Sequence, residues 1–184
     1  MSILDIRVLG DPVLRKETTI VESVTDDVRR LIDDMFETMY AAEGIGLAAP
    51  QVGRTERITV MDVEGAKYAL VNPEIIVRQG SIKGEEGCLS IPDVFGEVER
   101  AGSVAVSALN EKGEEIEIAS NELLARCLQH EIDHLHGKLF LDYLSVLKRR
   151  SALAKWETLK GDYPGYIRKV RLEKKGVHHS EGEL

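Results

Sequence analysis

The stretch NELLARCLQHEIDHLHG, residues 121–137, predicts the helix around which the rest of the chain is organised. Its apolar residues recur with a period of about 3.6 residues, which is typical of an amphipathic helix. Asn121 is a suitable cap for the start of this helix, and Gly137 is a suitable residue for its end. We therefore expect one helical face to be buried. The apolar positions are Leu124, Cys127, Leu128, Ile132 and Leu135.

The same helix carries the pattern H-E-x-x-H near its C-terminal end. Residues four apart lie on one helical face, so His130 and His134 can hold one metal ion between them. Glu131 lies about 100° further round the axis, where it can reach a water molecule on the ion without being a ligand. This arrangement is typical of metal-dependent hydrolases. So short a motif also occurs by chance, and ordinary histidines on an amphipathic helix remain the alternative.

A catalytic metal usually takes three protein ligands, so a third ligand must lie elsewhere in the chain. Metalloproteases supply it downstream of the helix, where Glu157 is the candidate. Upstream, Cys88 in GEEGCLSIP follows a glycine and precedes a proline, which predicts an exposed and sharply turned backbone. A thiolate there would complete a Cys–His–His set, although a free cysteine is more often a buried structural residue. Spacing alone leaves both candidates open.

The remaining patterns predict an α+β fold, with antiparallel or mixed β-sheets packed around the central metal-binding helix, an N-terminal helix and a C-terminal helix. Helical periodicity covers residues 24–44, with Thr25 or Asp26 as the cap and Gly44 as the stop. A further helix is expected over Ser145–Lys160. The predicted strands are residues 57–62, 68–72 and 74–80, broken by Gly65 and Pro73, and a hairpin of residues 103–109 and 114–119.

Length and composition suit one compact domain, because 184 residues with 43% hydrophobic content can bury a sizeable core. No apolar run approaches the roughly 20 residues of a membrane helix. The N-terminal MSILDIRVLGDPVLRK lacks the pattern of a signal or transit peptide, so we expect the protein to act in the cytoplasm. Its two cysteines, Cys88 and Cys127, are expected to be free or metal-bound thiols rather than a disulfide.

Charge divides the chain into two parts. Residues 1–147 hold 14 Lys/Arg against 27 Asp/Glu, whereas residues 148–175 hold ten against three. An acidic body does not favour specific DNA binding. The basic segment can dock on RNA, although a solvated helical face is the commoner explanation of such a run. We accordingly expect a catalytic body over 1–147, with 148–184 as a basic helix and loose tail, KKGVHHSEGEL, belonging to the same domain.

Three motifs together carry a resemblance to a known family. GIGLAAPQ (44–51), EGCLS (86–90) and QHEIDHLHG (129–137) resemble the signature motifs of peptide deformylases, in the family's order and at its usual separations. The similarity extends from VLGDPVLR near the N-terminus to GKLFLDYLS after the helix. Bacterial-type peptide deformylases remove the formyl group from the first methionine of new proteins. The resemblance therefore selects Cys88, rather than Glu157, as the expected third ligand.

The resemblance implies a set of ligands, a metal and partners. Cys88, His130 and His134 are the expected ligands of one divalent ion, with Fe²⁺ as the expected physiological metal and Zn²⁺, Ni²⁺ or Co²⁺ as alternatives that suit the same donors. N-formylmethionyl peptides and nascent chains are the expected substrates. The family offers precedent for a C-terminal helix that contacts the ribosome, so we expect the basic segment 148–175 to dock there. No membrane partner is expected.

The resemblance also implies catalytic roles. Glu131 is the expected general base, taking a proton from the attacking water and later delivering it to the departing amine. The negative oxygen of the tetrahedral intermediate needs hydrogen-bond donors. The side-chain amide of Gln51 and the backbone N–H of Leu89 are expected to supply them. A chain that kept the fold but only gripped peptide N-termini would need none of these groups, and it is the rival of a different class.

The remaining expected site residues surround the substrate. Gly44 and Gly46 lack side chains, so a peptide can pair with the backbone there, next to Ile45 and Gly87. Leu123 and Cys127 are expected to line the methionine pocket, unless they are simply core residues. We expect Arg126 to pack its stem there while its head reaches solvent. Glu86 is expected at the pocket as well. It can join Arg100 and Asp133 in a charged network that fixes the helix against the Cys88 loop.

Overall fold

The computed structural model describes residues 1–172. The predicted loose stretch 174–184, with His178 and His179, lies outside the described residues. The described α-helices are α1 (Asp26–Ala41), α2 (Glu122–Leu135) and α3 (Val146–Leu159). The strands are β1 (Ile6–Arg7), β2 (Gly46–Ala48), β3 (Ile58–Val63), β4 (Ala66–Gln79), β5 (Ile82–Cys88), β6 (Ile91–Arg100), β7 (Ser103–Leu109), β8 (Glu115–Asn121) and β9 (Ile167–Arg168).

The described strands form antiparallel sheets. Five of them make one sheet in the order β2-β3-β4-β7-β8. Two smaller sheets pair β5 with β6 and β1 with β9. The expected α+β fold, with sheets around a central helix and with N-terminal and C-terminal helices, is confirmed. The predicted hairpin is also confirmed as β7 and β8, which pair from Ser103↔Asn121 to Leu109↔Glu115.

The prediction that the strand breaks at Pro73 is wrong, because β4 continues as a single strand across this residue. The register with β7 shifts between Val71 and Glu74, so the proline occupies a bulge where its missing N–H costs no ladder bond. Asn72 adopts a positive φ of 51° at the same point. Its side chain donates to the carbonyl of Val21 at 2.8 Å and accepts from the N–H of Val21 at 2.9 Å.

The hairpin of β5 and β6 was not predicted, although it carries Cys88. Its sequence, SIKGEEGCLSIPDVFGEVER, mixes glycines and charges with few apolar residues, so it lacks the alternation that identifies a strand. Pairing runs from Ile82↔Arg100 to Gly87↔Phe95, and a register shift follows between Gly87 and Cys88. The hairpin therefore turns directly after the cysteine.

The helix boundaries follow the predicted caps, with two differences. Asn121 directly precedes α2, but its side chain makes no capping hydrogen bond. Thr25 caps α1 by accepting a hydrogen bond from the N–H of Val28 at 3.3 Å. The stop was placed at Gly44, but α1 ends at Ala41 and Glu43 takes the left-handed conformation with φ of 58°. Gly137 does follow α2 with a positive φ of 69°, as its position predicted.

Two hydrophobic clusters pack on the five-stranded sheet, one with α1 and the other with α2. α1 buries Met35 and Met39 against β2 and β3. α2 buries Leu128 and Ile132 against strands β3, β4, β7 and β8. A third cluster joins α3 to β6 through Trp156, which is only 3% exposed. The first part of the basic segment therefore packs into the same core as the acidic body.

Among residues 1–172, none of the helices is long and apolar enough to cross a membrane.

Candidate metal centre

Helix α2 and the end of β5 bring the three expected ligands together. One ligand atom from each of Cys88, His130 and His134 lies within 4.8 Å of the others. The Sγ of Cys88 is 3.3 Å from Nε2 of His134. Glu157, the alternative third ligand, is on the exposed side of α3 and pairs with Lys160 at 2.5 Å. Among the described residues, Cys88 rather than Glu157 therefore lies beside the two histidines.

The donor set fits a divalent transition-metal ion. Nδ1 of His130 lies 2.8 Å from Oε1 of Glu86, and a proton shared there leaves the other ring nitrogen available as a ligand. Burial opposes a charge on His130, but contacts with Cys88 and Glu86 raise its pKa well above the ordinary value. Burial, followed by the charge on His130, lowers the pKa of His134. A thiolate with two imidazoles suits Fe²⁺, Zn²⁺, Ni²⁺ or Co²⁺ alike, and a bound cation would take the place of a proton on His130.

A buried charged network supports His130. Glu86 accepts two hydrogen bonds from Arg100, at 2.9 and 2.8 Å, and Arg100 reaches Asp133 on α2 at 2.5 Å. Burial raises the pKa of Glu86, but Arg100 and then His130 outweigh it and hold the pKa well below its usual range. The predicted network of Glu86, Arg100 and Asp133 is confirmed. Because its carboxylate oxygens are already occupied, Glu86 acts on the site through His130.

The expectation for the head of Arg126 is wrong. Its guanidinium does not extend into solvent but donates to Glu86 at 2.7 Å and to the carbonyls of Val98 and Ile82 at 3.0 and 2.9 Å. The side chain is 13% exposed. These bonds tie α2 to β5 and β6. Arg126 therefore lines the pocket with its stem while its head fixes the hairpin.

Glu131 is buried beside the ligands. Its Oε2 has no hydrogen-bond partner among the described residues. Burial, supported by the charge of Glu86 and opposed by that of His130, raises its pKa to about 7. Gly46 packs against this carboxylate so closely that an added Cβ would lie 2.5 Å from Oε1. The glycine thus makes room for Glu131, a role that the sequence did not indicate.

The side-chain amide of Gln51 is held in one orientation. Its Oε1 accepts from the N–H of Ala48 at 2.8 Å, which directs the NH₂ group towards the site. That group donates to Ser90 Oγ at 3.1 Å and lies 3.6 Å from Cys88 Sγ. Sequence reasoning missed Ser90, because an ordinary serine after a leucine carries no signal of its own.

A cavity of about 610 Å³ opens beside these groups. Ile45 and Leu123 line it and are half-exposed, whereas Cys127 is buried. Burial raises the pKa of the Cys127 thiol well above its ordinary value. His134 is 1% exposed and does not line the cavity. The expected site residues that line the cavity are Gly44, Ile45, Gly46, Gln51, Glu86, Gly87, Cys88, Leu89, Leu123, Arg126, Cys127, His130 and Glu131.

Other residues of the cavity wall were not predicted. Phe95 is 59% exposed and its ring covers Gly87, where an added Cβ would lie 2.7 Å away. Tyr163 and Arg168 also line the cavity, although they follow α3 and lie outside the expected catalytic body. Neither residue belongs to a local sequence motif, so sequence reasoning could not place them at the cavity.

A buried glutamate beside a Cys–His–His set, facing an oriented amide in an open cavity, defines a metal-dependent hydrolase site. The polypeptide deformylase family model matches residues 3–150, and the chain belongs to this family. It is 55% identical over 163 residues to the peptide deformylase of Alkalilimnicola ehrlichii, an alignment that covers 86% of this chain and 92% of the relative. The resemblance stated from the three motifs is confirmed.

Solved structures agree with this assignment. A peptide deformylase from Legionella pneumophila superposes with a TM-score of 0.84 at 47% identity, covering 87% of this chain and 96% of that one. A peptide deformylase from Ehrlichia chaffeensis in complex with actinonin has a TM-score of 0.83 at 44% identity, covering 89% and 99%. The fold of this chain is therefore that of the family.

Proposed function

We propose that the chain hydrolyses the formamide bond of N-formylmethionyl polypeptides. Water adds to the formyl carbon, the bond from that carbon to the methionine nitrogen breaks, and formate and a free amino group are released. The observation that carries the proposal is the buried Glu131 carboxylate beside the converging Cys88, His130 and His134 donors in a member of this family. Nascent chains in the cytoplasm are the proposed substrates.

The proposed cofactor is one divalent ion per chain, with Fe²⁺ as the physiological metal and Zn²⁺, Ni²⁺ or Co²⁺ as functional substitutes. When bound by Cys88, His130 and His134, it supplies the Lewis acidity that makes water nucleophilic near neutral pH. Glu86 orients His130 through the 2.8 Å contact and helps to keep the set in place.

Glu131 is the proposed general base and acid. Its unpartnered Oε2 can take a proton from the attacking water, and its pKa of about 7 matches proton transfer near neutral pH in both directions. The same carboxyl then delivers the proton to the methionine nitrogen as the bond to the formyl carbon breaks. Gly46 keeps the carboxylate close to the backbone of β2.

Gln51 and the Leu89 backbone N–H are the proposed oxyanion donors. The contact from Ala48 fixes the amide of Gln51 with its NH₂ group next to Cys88, so the donor is oriented before substrate arrives. Donors that need no reorganisation stabilise the developing charge most strongly. Leu89 follows Cys88 directly, so its N–H lies on the same turn.

The open edge of β2 is the proposed substrate-binding edge. The carbonyl of Ile45 accepts from Asp62 on β3 at 2.9 Å, and antiparallel ladders alternate bonded and non-bonded pairs. The N–H and C=O of Gly46 therefore face away from β3, where an extended peptide can add as a strand. Gly44 and Gly87 flank this edge, and Ile45, Leu123 and Cys127 are proposed to contact the methionine side chain.

The decisive test compares Cys88→Ser with Glu157→Ala. Both proteins are purified anaerobically, and formate release from formyl-Met-Ala-Ser is measured together with metal content. We expect Cys88→Ser to lose activity and most bound metal, whereas Glu157→Ala keeps both. The opposite pattern would contradict the ligand set. Absence of formate release from iron-loaded wild type would favour the rival, a module that only binds peptide N-termini.

The exposed basic face of α3 is the proposed ribosome contact, with residues 1–147 as the catalytic body. Arg150 and Lys155 are exposed, whereas Trp156 of the same helix is buried in a core cluster. Truncation after residue 147 would therefore damage the core. We expect Arg150→Glu with Lys155→Glu to weaken co-sedimentation with ribosomes and to spare activity on free peptide. The matched control is Arg78→Glu with Lys112→Glu, an equal charge change on the body. Equal co-sedimentation of both doubles would contradict the contact.

A further inference from the structure

The chain that follows α3 returns to the active site. Tyr163 and Arg168 line the same cavity as Glu131. Both lie beyond the residues 3–150 that match the family model. Their role therefore has to be inferred from their own contacts.

Several contacts hold this returning segment in place. β9 pairs with β1, and the carbonyl of Tyr166 accepts from the N–H of Val8 at 3.0 Å. The ring of Tyr166 lies over Gly10, where a Cβ would be only 2.2 Å away. The buried Trp156 donates to the carbonyl of Leu9 at 3.2 Å and stacks on Tyr163 with ring centroids 5.7 Å apart. The approach of the segment is thus fixed by the N-terminal residues.

The segment delivers Arg168 to the turn that carries Cys88. Nη1 of Arg168 donates to the carbonyl of Leu89 at 3.1 Å. The next carbonyl, that of Ser90, accepts from the N–H of Leu9 at 2.8 Å. The Leu89 side chain also packs on Gly44, where an added Cβ would be 2.6 Å from Cδ1. The backbone of this turn is therefore held by two segments outside its own hairpin.

No competing role for the Arg168 charge is visible in the described part of the chain. Within residues 1–172 its side chain forms no ion pair, whereas Arg126, the other arginine of the cavity wall, is tied to Glu86. Arg168 is half-buried. A cationic donor bound to a neutral carbonyl forms one of the stronger types of protein hydrogen bond. Its target is the residue whose N–H is the proposed oxyanion donor.

We propose that Arg168 is a positioning residue that fixes the backbone of Leu89, and with it the oxyanion donor, from the C-terminal segment. The inference rests on the proposed function for its effect on catalysis. The effect of Arg168 on the backbone of the turn can be measured separately from catalysis. By this inference the segment after α3 is part of the active-site wall.

The experiment compares Arg168→Met with Arg171→Met, an exposed arginine three residues further on that does not line the cavity. Small displacements of a catalytic donor are costly, so we expect kcat of Arg168→Met to fall roughly ten- to a hundred-fold with KM changed less than about twofold. Arg171→Met should match wild type. Arg168→Lys, which keeps a cationic donor, should recover part of the lost kcat.

Hydrogen exchange gives a readout that does not depend on activity. Amides in residues 87–91 should exchange faster in Arg168→Met than in wild type or Arg171→Met, while metal content and Tm stay unchanged. Unaltered exchange in this stretch, or a raised KM with unchanged kcat, would overturn the inference. A fall in kcat matched by loss of metal or Tm, without rescue by Arg168→Lys, would overturn it as well. A wild type that releases no formate refutes the proposed function instead, while the exchange result still tests the hold on Leu89.

Discussion

Helix α2 and the Cys88–Ser90 turn meet at the metal centre but are held in different ways. α2 forms its own backbone hydrogen bonds, and its periodicity sets the spacing of His130, Glu131 and His134 around the helix. The turn is held from outside, by Gln51, by Leu9 and by Arg168. The backbone that carries the helix groups is therefore set by local structure, whereas the backbone of the turn depends on contacts between distant parts of the chain.

The largest effect is expected from Glu131→Gln, which changes chemistry on the helix without changing shape. Loss of the general base should lower kcat by about 10²–10⁴-fold, because Gln cannot accept the proton. Formate release and metal content are measured together. Glu117→Gln, on the exposed face of β8, is the control. Since Glu131 is not an expected ligand, metal content should stay at the wild-type level, and its loss would show that the carboxylate belongs to the ligand set.

The next effect is expected from Gln51→Ala, which acts on the turn side of the site. Removing one oxyanion donor typically lowers kcat by about 10²–10³-fold. The loss of its bond to Ser90 should also loosen the turn, which hydrogen exchange in residues 87–91 can detect. Gln79→Ala, an exposed amide at the end of β4, is the matched control. Unchanged kcat would remove Gln51 from the oxyanion site.

Gly46→Ala tests how tightly helix and substrate edge fit together. The added Cβ would lie 2.5 Å from Glu131 Oε1, so the carboxylate must move. Overpacking of this kind costs about 1–3 kcal/mol, and we expect lower stability together with lower kcat. Chemical unfolding and formate release measure the two effects. Gly161→Ala meets nothing within 4 Å and should change neither; if both variants behave alike, the close approach has no consequence.

The smallest effect is expected from Asp142→Asn, just after α2. Asp142 accepts from Arg15 at 2.7 Å and from the N–H of Leu139 at 3.0 Å. Burial raises its pKa, but Arg15 and Leu139 outweigh it and lower the pKa below the ordinary 3.8. The charged form is therefore stabilised by folding, and this stability is present above 3.8 and is lost as the pH falls through the lower, folded-state pKa.

For this largely exposed pair the loss in Asp142→Asn should be below about 1 kcal/mol near neutral pH. Chemical unfolding of both proteins from about pH 7 towards about pH 3 measures the difference in free energy, which should shrink as the pH falls. A difference that grows on acidification would contradict the assigned direction of the pKa shift.

The sequence correctly predicted the features that depend on local patterns. The spacing of His130 and His134 placed both on one face of α2, and Thr25 marked the start of α1. Features that depend on distant partners were missed. Pro73 signals a break in isolation, but β7 shifts its register to accommodate it. The head of Arg126 was expected in solvent because neither Glu86 nor the carbonyl of Val98 is near it in sequence.

The sequence by itself determined the helices, the pair of histidines with their glutamate and, through three motifs in order, the family. The tertiary structure decided the surroundings of those groups: Ser90 next to Gln51, Gly46 against Glu131, and Arg168 on the carbonyl of Leu89. The physical reason is the separation in sequence over which each kind of interaction acts. Helical periodicity acts over a few residues, whereas the turn at Cys88 is held by hydrogen bonds that close only when chain segments far apart in sequence have packed together.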